Sequence, residues 1–415
     1  MAVIRPLQAY RPTPELAAKI AALPYDVMNS DEAREMAKDN PYSFLHVDKA
    51  EIDLEPSIDL YDQRVYEKAR DNLNTMISKG WLVQDAQEHL YIYKEVMQGR
   101  SQVGLVTRTS IDDYLKGIIK IHEFTRADKE QDRINHVDYT NANTGLIFLT
   151  YRPHKEIDAI MNAWIAAHQP VYDFTSDDGI RHTVWIIEDQ KVIQALVALF
   201  ARVEAFYVAD GHHRTASAAK VGQMRRAKHP DYTGNEAFNY FLSVLFPSEQ
   251  LYIMDYNRVV KDLHGLSEAE FLNKVKEKFD IEKYQGEGQY KPAARHTFGM
   301  YLEGKWYKLT PKPGSYNEDD PIARLDVSIL QNNLLSPILG IHDPKTDKRI
   351  DFVGGIRGLQ ELEKRVKAGM KVAFSMHPTS INDVMAVADA GKTMPPKSTW
   401  FEPKLRSGLF IHKLS

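Results

Sequence analysis

The chain contains no cysteine. That excludes disulfides, thiolate metal sites and a cysteine nucleophile, and it fits a reducing compartment. No apolar run approaches the roughly 20 residues that a membrane-spanning helix needs. The opening segment, Met1 to Tyr10, lacks the charged-then-apolar order of a secretory signal. The expectation is a soluble cytoplasmic protein with no membrane partner. An excess of positive charge is also missing: 53 Lys and Arg face 57 Asp and Glu, for a net charge of −4, so nucleic acid is not an expected partner. The P-loop, the protein-kinase set and the spaced dinucleotide fingerprint are all absent. His182, His264, His296, His342 and His377 fall in no metal-ligand spacing and read as structural or exposed. There is no repeat and no low-complexity tract.

What is present is a globular composition over 415 residues, enough for two or three packed modules. The pattern predicts a mixed α+β protein in three regions, 1–110, 111–250 and 251–415. The first opens with Pro-rich extended chain, then a helix from Glu15 to Leu23, broken at Pro24. A second helix starts near Ser30 as N-cap, and a long amphipathic helix runs from Tyr61 to Trp81. His89–Met97 and Gln102–Arg108 form a hairpin about Gln98-Gly99-Arg100. The middle region alternates: strands at Gly117–Ile121, Gly145–Tyr151, His182–Glu188, Phe206–Ala209 and Ala237–Phe246; helices at Asp128–Tyr139, Glu156–Ala167 and Thr215–Lys228. The last region is a smaller α+β segment punctuated by glycine and proline turns.

The most informative segment is Asp210-Gly211-His212-His213-Arg214, entered by a strand and left by an alanine-rich helix. Gly211 permits a turn with positive φ and close approach of a ligand. Helix-start N–H groups and the helix dipole attract an anion, and His213 and Arg214 could clamp the same phosphate. Basic residues in a first turn oppose the dipole, which makes sense if an anion such as a nucleotide phosphate is bound there; an Asp-capped helix with exposed cations is the alternative. His122-Glu123-Phe124-Thr125-Arg126 follows a strand, where a carboxylate can serve as a general base; taken alone it also reads as a solvated loop. On the charged helix beyond it, Lys129, Arg133 and His136 share one face, open either to a polyphosphate or to salt bridges with other helices. Asn141-Ala142-Asn143-Thr144-Gly145 is a polar turn that either donates to a ligand or caps the helix. In Met394–Lys404, the prolines stiffen a stretch offering Lys397, Ser398, Thr399 and Lys404 to an anion, as an active-site wall or as a docked tail.

These segments, with Pro24-Tyr25-Asp26-Val27 and Asn40-Pro41-Tyr42-Ser43-Phe44-Leu45, resemble in order the DUF1015 family (domain of unknown function 1015). The central part also resembles the ParB/sulfiredoxin-like fold in its free-serine-kinase branch, where a His-Glu pair precedes Asp-Gly-His-His-Arg. The resemblance implies a ParB/sulfiredoxin-like nucleotide-binding core with N- and C-terminal α+β extensions. It makes Glu123 the base and Asp210 a second catalytic or Mg²⁺-positioning carboxylate. Gly211, His212, His213, Arg214 and Thr215 become the nucleotide-phosphate site, with His122, Arg126, Lys129, Arg133, Asn141 and Asn143 as further cleft residues. Asp210 and Glu123 lie 87 positions apart, farther than in the compact kinase, and the added regions leave the acceptor pocket open. Sulfiredoxin chemistry is excluded, since it needs a cysteine in the phosphate motif.

Three functions fit: an ATP- or ADP-dependent, Mg²⁺-assisted kinase of a free hydroxyl amino acid such as L-serine; a ParB-like nucleotide-binding switch; or a phosphohydrolase or binder of a phosphorylated metabolite. Only the first requires a base at Glu123. A homodimer is left open.

Overall fold

The computed structural model describes residues 2–415, a mixed α+β chain that divides into two units, 2–251 with 403–415, and 252–402. The expected division at residue 110 is corrected. Strands from both sides of that point belong to one sheet, because the hairpin before it supplies central strands. The last thirteen residues also return to the first unit rather than staying with the region after 251.

Among the described residues, nine strands form the sheet of the first unit: β1 (Ile4–Arg5), β2 (Leu90–Met97), β3 (Arg100–Ser110), β4 (Ile119–Lys120), β5 (Ile147–Tyr151), β6 (Tyr172–Thr175), β7 (Arg181–Ile187), β8 (Phe206–Asp210) and β9 (Tyr240–Pro247). Their spatial order is β4-β8-β5-β9-β3-β2-β7-β6, with β1 beside β3. The β2–β3 hairpin turns on Gln98 (φ 51°) and Gly99 (φ 79°), the paired positive φ values whose twist matches that of the flanking strands. β5 is buried along its whole length, as a strand covered on both faces must be. Most contacts are antiparallel, but β8 pairs β4 in parallel, and β9 pairs β5 in parallel.

The longer helices of this unit are α1 (Gln63–Ser78), α2 (Ala127–Thr140), α3 (Lys155–Ala167), α4 (Gln190–Phe200) and α5 (His212–Lys228). Ile157, Met161 and Trp164 of α3 and Ile193, Leu196 and Phe200 of α4 share one core with Ile92, Leu105, Leu149 and Phe206 of the sheet. α4 is absent from the sequence expectation, although its apolar residues recur at helical spacing and Asp189 caps it with bonds from Lys191 and Val192. The second helix of the chain is capped by Asn29, not Ser30. Asn29 and Glu32 form a reciprocal capping box that Ser30 is one residue too late to make. α5 begins at His212, three residues before the expected start, so the basic residues lie inside its first turn.

The returning segment is held by backbone. His412–Lys413 pairs with Ala142–Asn143, and Ser407 and Ile411 bridge to Ala22 and Tyr10. Leu409, Phe410 and Ile411 are fully buried.

In the second unit six antiparallel strands are ordered Phe279–Lys283, Lys305–Pro311, Phe298–Leu302, Val372–Ser375, Tyr256–Val260, Ile350–Gly354. Lys397, Ser398 and Thr399 belong to this unit. The Lys397 ammonium lies 5.6 Å from the Tyr256 ring centre, and the Ser398 hydroxyl donates to the Pro395 carbonyl. No helix among the described residues is long and apolar enough to cross a membrane.

Candidate active site at the ends of two parallel strands

The site follows from strand register. β4 and β8 run parallel with Ile119 opposite Phe206 and Lys120 opposite Tyr207. That offset is 87 residues, and carried three residues past the pairing it sets Glu123 level with Asp210. A hydrogen bond repeats the same offset: the Arg126 N–H donates to His213 Nε2 at 3.0 Å. Two motifs far apart in sequence are therefore side by side because their feeding strands are neighbours. On the other flank of β8 the pairing with β5 slips between Val208 and Asp210. Such an irregularity re-aims a side chain at a strand end.

Gly211 has φ 88° and ψ 33°, a conformation that costs an L-residue roughly 1–2 kcal/mol. It starts α5 with no side-chain cap. The N–H groups of the first turn have no intrahelical acceptor by construction. Asp210 does not cap the helix. Its Oδ1 accepts from the Gly211 N–H at 2.8 Å, and its Oδ2 accepts from the Lys404 ammonium at 2.7 Å. Burial alone would raise the Asp210 carboxyl, but Lys404 and the Gly211 N–H outweigh it and hold the group below the usual range. Lys404 is brought there by the returning C-terminal segment.

His122, Glu123 and His212 complete the cluster, with one side-chain N or O atom of each lying within 4.8 Å of the others. The two imidazoles meet edge to face, with centres 4.5 Å apart at 86°. Burial pushes the His122 ring down to about 4 despite Asp210 and a hydrogen bond to the Val208 backbone. Burial, then the neighbouring His122, takes His212 far below its ordinary value. Both rings are neutral at pH 7. The cluster thus offers one carboxylate, two neutral imidazoles, a paired ammonium and a helix start.

Several expected phosphate ligands have protein partners in this structure. Arg214 turns away from the helix start and donates to Asp48 Oδ2 at 2.8 Å and to the Ser407 hydroxyl. His213 uses Nε2 as acceptor for the Arg126 N–H, so it ties the Glu123 loop to α5. The Thr215 hydroxyl is buried and donates to the Gly211 carbonyl. Arg133 is buried against Asp132 and the Tyr25 ring, with its guanidinium 4.0 Å from the ring centre. Asn141 ends α2 in the left-handed region, and Asn143 accepts from the Leu242 N–H. Arg126 pairs with Asp128, and Lys129 lies 5.6 Å from the Tyr61 ring centre. Both Asp210 oxygens accept from protein donors, so a Mg²⁺ ion bound there would share them with the Gly211 N–H and the Lys404 ammonium. Mg²⁺ favours an all-oxygen shell, and the remaining donors here are two imidazoles and one carboxylate.

Asp48 is the residue that sequence reasoning missed. Its side chain is fully buried and accepts from Arg214, Ser407 and Thr144, with His136 at 3.7 Å. The cavity beside this network, lined by Arg133, His136, Thr144, Gly145 and Arg214, measures about 10 Å³. That is room for about one water and too small for a phosphate. Gly145 is glycine for this reason: a Cβ there would lie 2.5 Å from Arg214 Nη1. The guanidinium is held by Asp48, so yielding would strain that buried ion pair. Gly145→Ala should therefore destabilise the fold by about 1–3 kcal/mol, the usual penalty for overpacking, read from denaturant midpoints. An unchanged midpoint would show that Arg214 is free to move.

An uncapped helix start fed by a strand, flanked by a carboxylate and a partly buried lysine, is the site that this mixed α+β fold builds. The chain belongs to the DUF1015 family of proteins of unknown function, whose model matches residues 4–328. A comparison with curated proteins finds no match. Among solved structures it is similar to a free serine kinase in complex with AMP, at 13% identity and TM-score 0.36, covering 74% of this chain and 91% of the other. It is similar to a conserved hypothetical protein from Pyrococcus furiosus at 14% and 0.36, covering 74% and 94%. A C-terminally truncated SbnI from Staphylococcus aureus matches at 12% and 0.36, covering 74% and 86%. Likenesses this distant do not carry an activity from one chain to another.

Proposed function

We propose that the protein is a nucleotide-dependent kinase that phosphorylates the hydroxyl of a free small amino acid, L-serine first, with ATP or ADP as donor. The observation that carries this reading is the convergence of Glu123 with the uncapped start of α5 and the Asp210–Lys404 pair. A phosphoryl group held by the first-turn N–H groups and the Lys404 ammonium has its negative charge matched by fixed donors. The acceptor hydroxyl gives its proton to Glu123 as its oxygen bonds to phosphorus, and the bond from phosphorus to the departing nucleotide oxygen breaks. His122 and His212, neutral and buried, form a wall of low polarity around that carboxylate. The choice of serine rests on the motif resemblance alone. Incubating the protein with ATP or ADP, Mg²⁺ and a pool of hydroxylated metabolites, then reading products by mass spectrometry, tests it. O-phosphoserine or a related phosphate ester is expected. Tight nucleotide binding with no transfer to any hydroxyl would overturn the kinase reading in favour of a nucleotide-bound switch.

Lys404 supplies a second test. Lys404→Met should weaken nucleotide binding by about 1.5–3 kcal/mol, the range for a hydrogen bond to a charged group. Lys404→Arg should restore part of it. Calorimetry on a folded Lys404→Met variant with unchanged affinity would remove Lys404 from the phosphate site.

A further inference from the structure

We propose that His122, Glu123 and His212 form a binding site for one divalent transition-metal ion of the zinc, cobalt or iron class, distinct from any Mg²⁺ that accompanies a nucleotide. The geometry is close to a metal shell as it stands. The ligand atoms of the three side chains all lie within 4.8 Å of one another. Ligands at about 2.0–2.2 Å around a tetrahedral ion are roughly 3.4 Å apart, so small side-chain rotations close the shell. The three residues hang on rigid supports, His122 and Glu123 just past β4, and His212 at the first position of α5.

A second observation is independent of that spacing. His212 is 7% exposed, and its Nε2 is buried without a hydrogen-bond partner. An unsatisfied buried polar atom is costly, and a bound cation offsets that cost by accepting the lone pair. The hydrogen bond between His122 and the Val208 backbone fixes that ring's orientation, as outer partners of metal-bound histidines commonly do. Two imidazoles with one carboxylate suit borderline ions and leave coordination positions open to water, whereas Mg²⁺ and Ca²⁺ prefer oxygen ligands. The ion is therefore selected by donor type.

The site shares Glu123 with the proposed phosphotransfer, yet its occupancy does not depend on that reading. A metal bound through one carboxylate oxygen lowers the basicity of Glu123, so occupancy by the ion weakens it as a base.

The test is a Co²⁺ titration of the full-length, chelator-treated protein without nucleotide, followed by visible absorption. Ligand-field bands saturating at one equivalent are expected, abolished by Zn²⁺ and unchanged by excess Mg²⁺. His122→Ala and His212→Ala should each weaken Co²⁺ binding by more than the roughly 10–100-fold that loss of an outer-shell partner costs. His229→Ala, at an exposed histidine, should bind as wild type does. Absence of the bands from the wild-type protein would overturn the site, and so would bands that persist in both cluster variants. Because no nucleotide or acceptor is present, failure here is separate from failure of the kinase reading.

Discussion

Asp48→Ala is expected to destabilise the first unit by about 3–5 kcal/mol, the usual cost of removing one partner from a buried ion pair. The substitution removes the acceptor for Arg214, the Ser407 hydroxyl and the Thr144 hydroxyl at once. It leaves the Arg214 guanidinium buried with a hydrogen bond to the Ser407 hydroxyl and the face of the Tyr25 ring, but without a counter-charge bonded to it. For a unit of this size the melting temperature should fall by about 6–20 °C. Burial alone raises the Asp48 carboxyl, but Arg214, His136 and Arg133 overcome it and hold the group at about 2. The unfolded value is about 3.9. Since the folded value is depressed, the stabilisation is present above about pH 4 and is lost as pH falls towards 2. That contribution is worth about 2–3 kcal/mol. The variant should lack this acid-side dependence. Replacing Arg214 by methionine as well should recover much of the loss, because the uncompensated buried charge is gone. A double variant no more stable than Asp48→Ala would show that the network is not organised around this pair.

Asp48 also marks where sequence reading runs out. The strands and helices with strong local patterns are legible: the β2–β3 hairpin from Gln98-Gly99, the long helix α1 from its apolar spacing, and β8 from Phe206-Tyr207-Val208-Ala209 before a glycine. Partnerships are not legible, because they depend on strand register. The approach of Glu123 to Asp210 is set by the β4–β8 pairing, and no local signal encodes it. Arg214 illustrates the same limit from the other side. Its place beside Gly211 made it a natural phosphate ligand, yet its side chain reaches across to an aspartate 166 positions earlier. Asp48 carried one weak clue, a charged residue in the apolar run Phe44-Leu45-His46-Val47. Lys404 was legible as a residue type but not as part of a segment that returns to the first unit, while Lys397 stays in the second. The Pro-rich stretch between them gave no sign of that parting.

Glu123→Gln is expected to reduce turnover by about 10²-fold or more while leaving nucleotide affinity within a few-fold of wild type. A neutral hydroxyl is a poor nucleophile, and a positioned carboxylate gains about 10²–10⁴ in rate by taking its proton. In a loose phosphoryl-transfer transition state that proton leaves late, so part of the effect is orientation of the acceptor. Glutamine keeps the shape and a hydrogen-bonding oxygen but cannot accept the proton, so it isolates the base from the contact. The loss belongs in kcat and not in the KM for nucleotide, since the groups proposed to hold the phosphates are the α5 start and Lys404. Lys404→Met should show the reverse pattern, with weaker nucleotide binding as its primary effect. The two variants together separate binding from chemistry at neighbouring groups of one cluster. Glu123→Gln turning over serine or another acceptor as fast as wild type would show that Glu123 is not the base. Equal losses of nucleotide affinity in both variants would mean that Glu123 supports the turn at Gly211 rather than the reaction.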